Sequence, residues 1–461
     1  MKQVDVAVIG GGPAGLAAAI ELAKGNISLV VIDAYPQPGG HYFRQSPSEF
    51  GGSKGNGRQA EYQSLMTEAA QVEILSGATV WSVFRDEETE QFTLHLQGHN
   101  IRSVQATYLL MAPGSYDRPF PFPGWQLPGV ITLGGAQMLI KGHGILPGKR
   151  VLVAGGGPLL LSVAAGLIEA GADVAAVLDI ASMMDGASKM PSAFWGQWGR
   201  LKEAWQYAST IKRKRVPVLF EHAVFRAIGE DEVMGAAYGK LDATGHPLKQ
   251  TEKSVDVDTI CVALGFLPNL ALTRHLGCSH FYDPVLDSFY PKHDEKMETT
   301  AANIFVAGDV TGVGGKDLSK LQGQIAGLNI LGRLGKLAAN EVQQQTQALQ
   351  PAIRSEKRFI QMMRDRMRVK SGFWDLLDDE TIVCRCEMVT VGKIKTAVQE
   401  GARDMRGAKL RTRCGMGACQ SRYCEQTIGQ LMARETGQPR EAIGASSIRP
   451  PLIPVSLKDI L

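Results

Sequence analysis

Several things are scarce in these 461 residues. Charge of one sign is scarce: 49 Lys and Arg stand against 46 Asp and Glu, a formal net charge of +3. So near a balance offers no extended field for nucleic acid or an anionic surface. The one basic run, Lys212-Arg213-Lys214-Arg215, reads as a solvated face. Unbroken apolar length is scarce too. The stretch 151–168 carries no charge, but Gly155-Gly156-Gly157-Pro158 splits it into a strand and a helix. It therefore reads as a buried βα unit and not a membrane span. The polar opening Met1-Lys2-Gln3-Val4-Asp5 leads straight into a strand, so no signal peptide is expected and a soluble, cytoplasmic protein is. Cysteine is sparse and odd in number, and five of the seven fall between 384 and 424. That pattern argues against a secreted disulfide framework and for a metal or redox site. No general base, nucleophile or catalytic metal triad stands out, which moves the expected chemistry onto cofactors.

Glycine, by contrast, is plentiful, with 52 residues. Residues 4–9, Val-Asp-Val-Ala-Val-Ile, read as a buried strand. They run into Gly10-Gly11-Gly12-Pro13-Ala14-Gly15 and then an Ala-rich helix, and the next strand, 28–32, ends at Asp33. This is the dinucleotide fingerprint in its required strand–turn–helix setting. Gly10 makes the tight turn, Gly12 lets the backbone approach a pyrophosphate, and Gly15 allows close helix–strand packing. Pro13 and Ala14 open the helix whose N-terminus faces the phosphates. Asp33 is placed to accept bonds from the adenosine ribose. The motif alone does not choose between FAD and NAD.

A distant segment does. Thr299-Thr300-Ala301-Ala302-Asn303-Ile304-Phe305-Val306-Ala307-Gly308-Asp309 resembles the strand that closes two-domain flavoprotein reductases. The resemblance implies that Gly308 and Asp309 meet the flavin's ribityl chain, with Asp309 as acceptor. It also implies a helix at about 318–331 pointing at the isoalloxazine. Residues 109–114 resemble the crossover segment of the same family, which brings Ala112 and Gly114 to the site; Gly40 is counted with them. FAD is therefore expected. Disulfide reductases of this fold carry a cysteine pair after the second strand or a CxxC in the second domain. Here Gly39-Gly40-His41-Tyr42-Phe43-Arg44 has none, and Cys261 and Cys278 stand singly. Dithiol–disulfide exchange is excluded as the main chemistry.

The strand–turn–helix pattern recurs from Lys149 to Leu160, with Gly155 and Gly157 in the turn and Asp179 ending the next strand, 174–178. Leu160 replaces the third glycine, and its bulk opposes close helix–strand packing. Two readings stay open: an adenine nucleotide (NAD or ATP), or a vestigial, structural site. If a nicotinamide binds, Asp179 favours NAD over NADP. Further on, Phe194, Trp198, Leu201 and Trp205 recur at helical spacing beside Trp195. They read as a core-facing stripe or, alternatively, an interface between subunits. A strand at 260–264 returns the chain to the first domain.

The C-terminal cysteines are spaced C-x-C-x27-C-x4-C: Cys384, Cys386, Cys414 and Cys419. Four thiolates in two close pairs suit an iron–sulfur cluster or zinc. The single residue inside CxC is shorter than zinc knuckles use, which favours the cluster. Gly415 and Gly417 let backbone N–H groups approach its sulfurs. The pattern resembles the bacterioferritin-associated-ferredoxin-like (BFD-like) [2Fe-2S] domain, although the second pair there is usually CxxC. The resemblance implies helices at 391–401 and 420–436. On that helix Cys424 lies about 140° around from Cys419, so it is read as a structural spare.

Taken whole, the chain resembles the α-type subunits of hetero-oligomeric amino-acid dehydrogenases: the opine oxidase, hydrogen cyanide synthase, D-hydroxyproline dehydrogenase and sarcosine oxidase group. The tail from Arg449 resembles the family ending. The implied fold is α/β, with two Rossmann-like domains and a small helical [2Fe-2S] domain. The expected boundaries are 1–118 with 283–335 for FAD, 119–282 for the second domain, 336–379 for a helical linker, 380–441 for the cluster domain and 442–461 for a Pro-rich tail. The resemblance implies an electron-transfer role within a complex, beside a flavin-dependent, amino-acid dehydrogenase-like β subunit that oxidises the amine. A small third subunit is a further candidate, as is an FMN held between subunits. The electron acceptor could hold the complex against the inner face of the membrane. The rival readings are a stand-alone NAD(P)H-dependent FAD oxidoreductase and a non-enzymatic iron–sulfur or zinc assembly protein.

Overall fold

The computed structural model describes residues 1–44, 57–157, 159–194 and 197–460. Pro158 and Trp195 lie outside them. The first strand, Lys2–Ile9, buries its apolar second half because parallel strands flank it on both sides, Leu29–Asp33 and Ser103–Met111. These belong to a seven-stranded sheet that runs Glu73–Ser76, Leu29–Asp33, Lys2–Ile9, Ser103–Met111, Phe92–Gln97, Thr79–Arg85. Ile304–Val306 joins it from far along the chain, parallel to the end of Ser103–Met111. A second sheet of five parallel strands runs Val218–Phe220, Asp173–Asp179, Arg150–Gly156, Thr259–Leu264, Val130–Thr132. The parallel strands of both sheets are near-continuous apolar runs covered by helices, as buried parallel strands require.

The chain leaves the second domain earlier than 282. Leu270, Leu272, Cys278 and Phe289 share a core with Ala7, Ile9 and Val306 of the first sheet. The exit is the turn at Gly265, and the short strands Ser115–Asp117 and Phe266–Pro268 pair antiparallel at the crossover. The helix expected at 318–331 spans Gly315–Arg333 and lies along the first helix, Pro13–Ala23. Gly323 makes that approach possible: a Cβ there would sit 2.1 Å from the Ala14 carbonyl oxygen.

The segment expected as a linker is a packed element. Ala339–Met367 is one 29-residue amphipathic helix whose Ile353, Met362 and Met367 are buried. It continues into a 3₁₀ turn, Ser371–Leu376, whose Phe373 stacks on Phe120 at 4.4 Å between ring centres. The C-terminal module is helical, with a core of Val383, Val389, Ile394, Ala408, Ile428 and Met432. It has a helix between the two expected ones, Met405–Thr412, N-capped by Asp404, which accepts the Gly407 N–H at 2.6 Å.

Buried charges hold this module against the flavoprotein fold. Arg274 donates to both oxygens of Glu425, at 2.9 and 2.8 Å, and Ser446 N–H adds a third bond at 2.9 Å. Arg118 donates to Asp287 at 2.6 Å, with Arg440 at 3.7 Å from the same carboxylate. The tail is spent on its own chain. Leu452 is buried, its N–H meets the Trp81 carbonyl at 2.9 Å, and Arg422 donates to its carbonyl at 3.0 Å.

Burial alone raises the Glu425 pKa, and the Arg274 guanidinium, Ser446 N–H and Arg440 more than offset it, so the carboxyl sits below its ordinary 4.5. A depressed folded pKa contributes stability that is present above 4.5 and is lost as pH falls through the folded value. Breaking a buried pair costs about 3–5 kcal/mol. Arg274→Ala should therefore free the C-terminal module, read as new proteolytic cleavage between 370 and 390 at neutral pH while the N-terminal fold stays resistant. Unchanged proteolysis would show that the pair does not hold the junction.

Candidate functional site

The first site is built on the turn between Lys2–Ile9 and Pro13–Ala23. Gly10 has φ +106°, and a Cβ there would lie 2.2 Å from the Ala112 carbonyl oxygen; one at Gly15 would lie 1.8 Å from the Gly10 carbonyl oxygen. Gly12, the helix N-cap, is different: its nearest neighbour is Gly40 Cα at 3.9 Å. Gly10 and Gly15 are closed by the protein, and Gly12 opens on space where a pyrophosphate fits. Asp33 ends its strand with Oδ2 accepting Gly11 N–H at 2.7 Å and Oδ1 accepting Tyr35 N–H at 2.8 Å. Burial raises its pKa in spite of those bonds.

Gly308 and Asp309 reach the same turn from the other side. Gly308 has φ +81°, a Cβ there would lie 2.9 Å from Ala14 Cβ, and its N–H donates to Gln322 Oε1 at 2.9 Å. Asp309 accepts from Ser115 Oγ at 3.0 Å and Gly314 N–H at 3.3 Å. Burial raises its pKa. Gly114, φ +71°, has open space where a Cβ would be. The structure thus gathers Gly10, Gly12, Pro13, Ala14, Gly15, Asp33, Gly40, Ala112, Gly114, Gly308 and Asp309 around one turn. Sequence reading missed Gly11, Ser115 and Gln322, which hold the two acids and Gly308. It also missed Arg44, whose guanidinium lies 3.8 Å from the Tyr35 ring centre with two buried nitrogens that have no partner among the described residues. Arg44 stood in the motif-bearing segment 39–44, and its charge was the available signal.

The second turn is closed. Gly155 has φ +141°, and a Cβ there would lie 1.8 Å from the Ala263 carbonyl oxygen. Gly157 faces Met367, whose Cγ would lie 3.1 Å from its Cβ. Asp179 accepts Arg366 Nη2 at 2.9 Å and Ala181 N–H at 3.0 Å. Leu160 is buried in the core under this sheet. The end of helix Ala339–Met367 therefore occupies both the phosphate turn and the ribose carboxylate.

The five C-terminal cysteines meet in one place. Cys384 ends the strand Ile382–Cys384, which Trp125 Nε1 anchors through the Ile382 carbonyl at 2.5 Å. Cys384 lies against Cys424 and Cys386 against Cys419. Cys414 bonds instead to Thr412. The Cys424 contact and the N–H groups of Gly415, Glu387 and Cys386 lower the Cys384 pKa to about 6. A Cβ on Gly417 would lie 2.2 Å from Cys386 Cβ. The expectation that Cys424 faces away is corrected. Residues 420 and 421 have φ +52° and +68°, and the helix starts only at Glu425, so no helical rotation separates Cys419 from Cys424. Among the described residues no three His, Cys, Asp or Glu side chains close on a single metal position. Two pairs of thiols is the donor set a two-iron cluster uses.

A family model described as pyridine nucleotide-disulphide oxidoreductase matches residues 4–344. The A-type component of opine oxidase from Agrobacterium tumefaciens (strain Ach5) is 31% identical over 99% of this chain and 91% of its own length. The chain belongs to that family. A BFD-like [2Fe-2S] binding domain matches residues 382–434, and the HcnB component of hydrogen cyanide synthase from Pseudomonas aeruginosa is 29% identical over 97% of this chain and 96% of its own. Among solved structures, L-proline dehydrogenase from P. horikoshii superposes with TM-score 0.68 at 20% identity, covering all of this chain and 79% of that one. Thioredoxin reductase of T. acidophilum superposes with TM-score 0.54 at 19% identity, covering 72% of this chain and 99% of that one. At these identities the likeness is one of fold. This family member is an oxidoreductase whose two matched models imply FAD and a [2Fe-2S] cluster. Of the two cysteines outside the C-terminal group, Cys261 lies buried in a central strand and Cys278 bonds to Thr299. No helix among the described residues is long and apolar enough to cross a membrane.

Gly12→Val fills the space at the helix N-cap and should abolish FAD binding. Asp309→Ala should weaken it by about 1.5–3 kcal/mol, the range for a hydrogen bond to a charged group. Fluorescence titration of the apoprotein with FAD checks both, and full affinity in Gly12→Val would place the flavin elsewhere.

Proposed function

We propose that this chain is the FAD- and [2Fe-2S]-containing electron-transfer subunit of a hetero-oligomeric dehydrogenase or oxidase acting on an amino acid or secondary amine. The substrate is of the opine, proline, hydroxyproline, sarcosine or glycine class. A flavoprotein partner strips the C–N bond of its hydrogen and delivers the electrons. The observation that carries the reading is the contact between the two sites. Ser115, which bonds Asp309, is followed by Tyr116; Cys424 is preceded by Tyr423; the two tyrosine rings meet edge to face at 5.7 Å between centres. Flavin releases singly the electrons it accepts in pairs, and the cluster takes them one at a time. The chain's own residues position both groups: Gly12, Asp33 and Asp309 hold the flavin, the nest of N–H groups around Cys384 favours a thiolate, and the buried Arg274–Glu425 pair keeps the two sites together.

The cluster ligands in this reading are Cys384, Cys386, Cys419 and Cys424, the two adjoining pairs, with Cys414 behind them on Thr412. This replaces the spacing-based set that had Cys414 in and Cys424 out. Cys424→Ser should lose the brown colour and the acid-labile sulfide, because a hydroxyl is a poor ligand for this soft site. Cys414→Ser should keep both. The opposite outcome would restore the set drawn from spacing, and stoichiometric zinc without sulfide would remove the cluster altogether.

The names of the relatives support the hetero-oligomer. Opine oxidase and hydrogen cyanide synthase are both represented by one named component of several, and the alpha component of sarcosine oxidase from Rhizobium meliloti is 23% identical over 98% of this chain and 42% of its own length. The helix Trp198–Arg213 supports it too. Its Trp198 and Trp205 are 75% and 70% exposed, which corrects the core-facing reading of that stripe and leaves two aromatic anchors for a partner. The stand-alone NAD(P)H reading meets Arg366 on Asp179 and Met367 on Gly157, where the nucleotide would bind. Expressed alone with both cofactors loaded, the chain should neither oxidise proline, hydroxyproline, opines, sarcosine or glycine nor have its flavin bleached by NADH. Amine turnover at about 1–10³ per second would move catalysis into this polypeptide, and rapid bleaching by NADH would favour the stand-alone enzyme.

A further inference from the structure

The cysteine site has an inside and an outside. Cys384, Cys414 and Cys424 are 1–2% exposed, and Cys424 adjoins the Tyr423–Tyr116 contact with the flavin domain. Cys386 is exposed and Cys419 half-buried. The solvent-facing edge is made by the turn 385–388 with Arg413 and 417–419. Arg413 Nε bonds Glu387 at 3.0 Å, and Gly417 packs against Cys386. Met388, 53% exposed, stands on that turn with Arg385, an exposed residue whose guanidinium also lies 5.1 Å from the Trp125 ring centre, and Leu410 is 66% exposed just before Arg413. The surroundings are strongly basic. Residues 382–434 hold ten Lys and Arg against four Asp and Glu, while the whole chain is only at +3. The surplus is therefore confined to this module, with the rest of the chain slightly acidic. Of the four acids, Glu425 is buried on Arg274, Asp404 caps a helix and Glu387 is paired with Arg413, while just outside the span Asp379 pairs with Lys395 and Asp375 with Arg434, so the surplus lies toward Arg385, Arg406, Lys409 and Arg413.

We infer that the Cys386 edge is a docking surface for a separate, acidic redox protein carrying a one-electron centre, with Arg385 and Arg413 meeting its carboxylates around an apolar contact at Met388. The inference rests on the cluster reading above. A basic rim around a small apolar centre steers an acidic partner into a short-lived complex. Such a complex suits a carrier that must leave after each electron. One electron passes out per encounter, so two encounters return a two-electron-reduced chain to its starting state, and the acceptor's centre is reduced by one electron each time.

The experiment uses the full-length protein with FAD and cluster loaded, assembled with its flavoprotein partner where that co-purifies. Its visible spectrum and sulfide content are measured first; absence of a cluster there would count against the proposed function and not against the docking surface. Binding is then titrated with a plant-type ferredoxin as the acidic probe and with cytochrome c as the basic one. Ferredoxin should bind, weakening at least about tenfold as salt rises and the Debye length shrinks from about 10 Å toward 3 Å. Arg385→Glu with Arg413→Glu should weaken it by a similar factor while leaving the cluster's spectrum unchanged. Should that pair disturb the spectrum, Met388→Glu provides the same test from the centre of the face. Equal binding of cytochrome c, salt-independent binding, no binding, or loss of the probe site on assembly with the flavoprotein partner would each overturn the inference.

Discussion

The structure turns on a few charges buried between its modules. Arg274 and Glu425 form a bidentate pair at the junction, and Arg118, Asp287 and Arg440 form a second group beside it. Buried pairs of this kind add little net stability over apolar packing, but they tolerate few geometries. A cluster module tethered by a helix could sit in many positions on the flavoprotein fold. These pairs single out one, in which Tyr423 and Tyr116 touch and the cysteine pairs are oriented inward and outward. The tail serves the same end. By crossing from Ser446 on the Glu425 carboxylate to Leu452 on Trp81, it straps the module to the antiparallel edge of the first sheet.

The helix Ala339–Met367 couples the other pair of domains. It packs along Gly315–Arg333 and ends with Arg366 on Asp179 and Met367 over Gly157. A Rossmann unit needs an acid and a glycine turn to bind a nucleotide, and here both are in use within the chain. The second domain keeps the architecture of a nucleotide site and uses it as a seat for the connection to the cluster module.

Much of this was written locally. The strand–turn–helix at 4–23 was legible because only glycine accepts the φ of Gly10 and the close approach at Gly15, so the residue type reports the backbone. The same logic located the second turn at 155–157, whereas Gly308-Asp309 was found through the resemblance of 299–309 to two-domain flavoprotein reductases. Parallel strands announced themselves as short apolar runs between turn residues. Three expectations failed where the deciding contact lay far away in sequence or in an unusual turn. The 336–379 segment is polar on its exposed face and reads as a linker until its buried Ile353 and Met362 are seen. Trp198 and Trp205 keep helical spacing, and spacing does not say which face is covered. Cys424 was misjudged because the helix was started at Gln420, whereas left-handed residues 420 and 421 delay it to Glu425.

The sequence by itself determined the fold class, the first nucleotide turn and the gathering of cysteines near the C-terminus, because each depends on neighbours close along the chain and on backbone conformations few side chains allow. Which cysteines pair, whether the second turn is open, and where the tail goes were decided by the tertiary structure. The cysteine pairing turns on the left-handed residues 420 and 421, and the other two outcomes on segments well over a hundred residues apart, such as Asp179 with Arg366 and Trp81 with Leu452. Local propensity carries no record of such contacts.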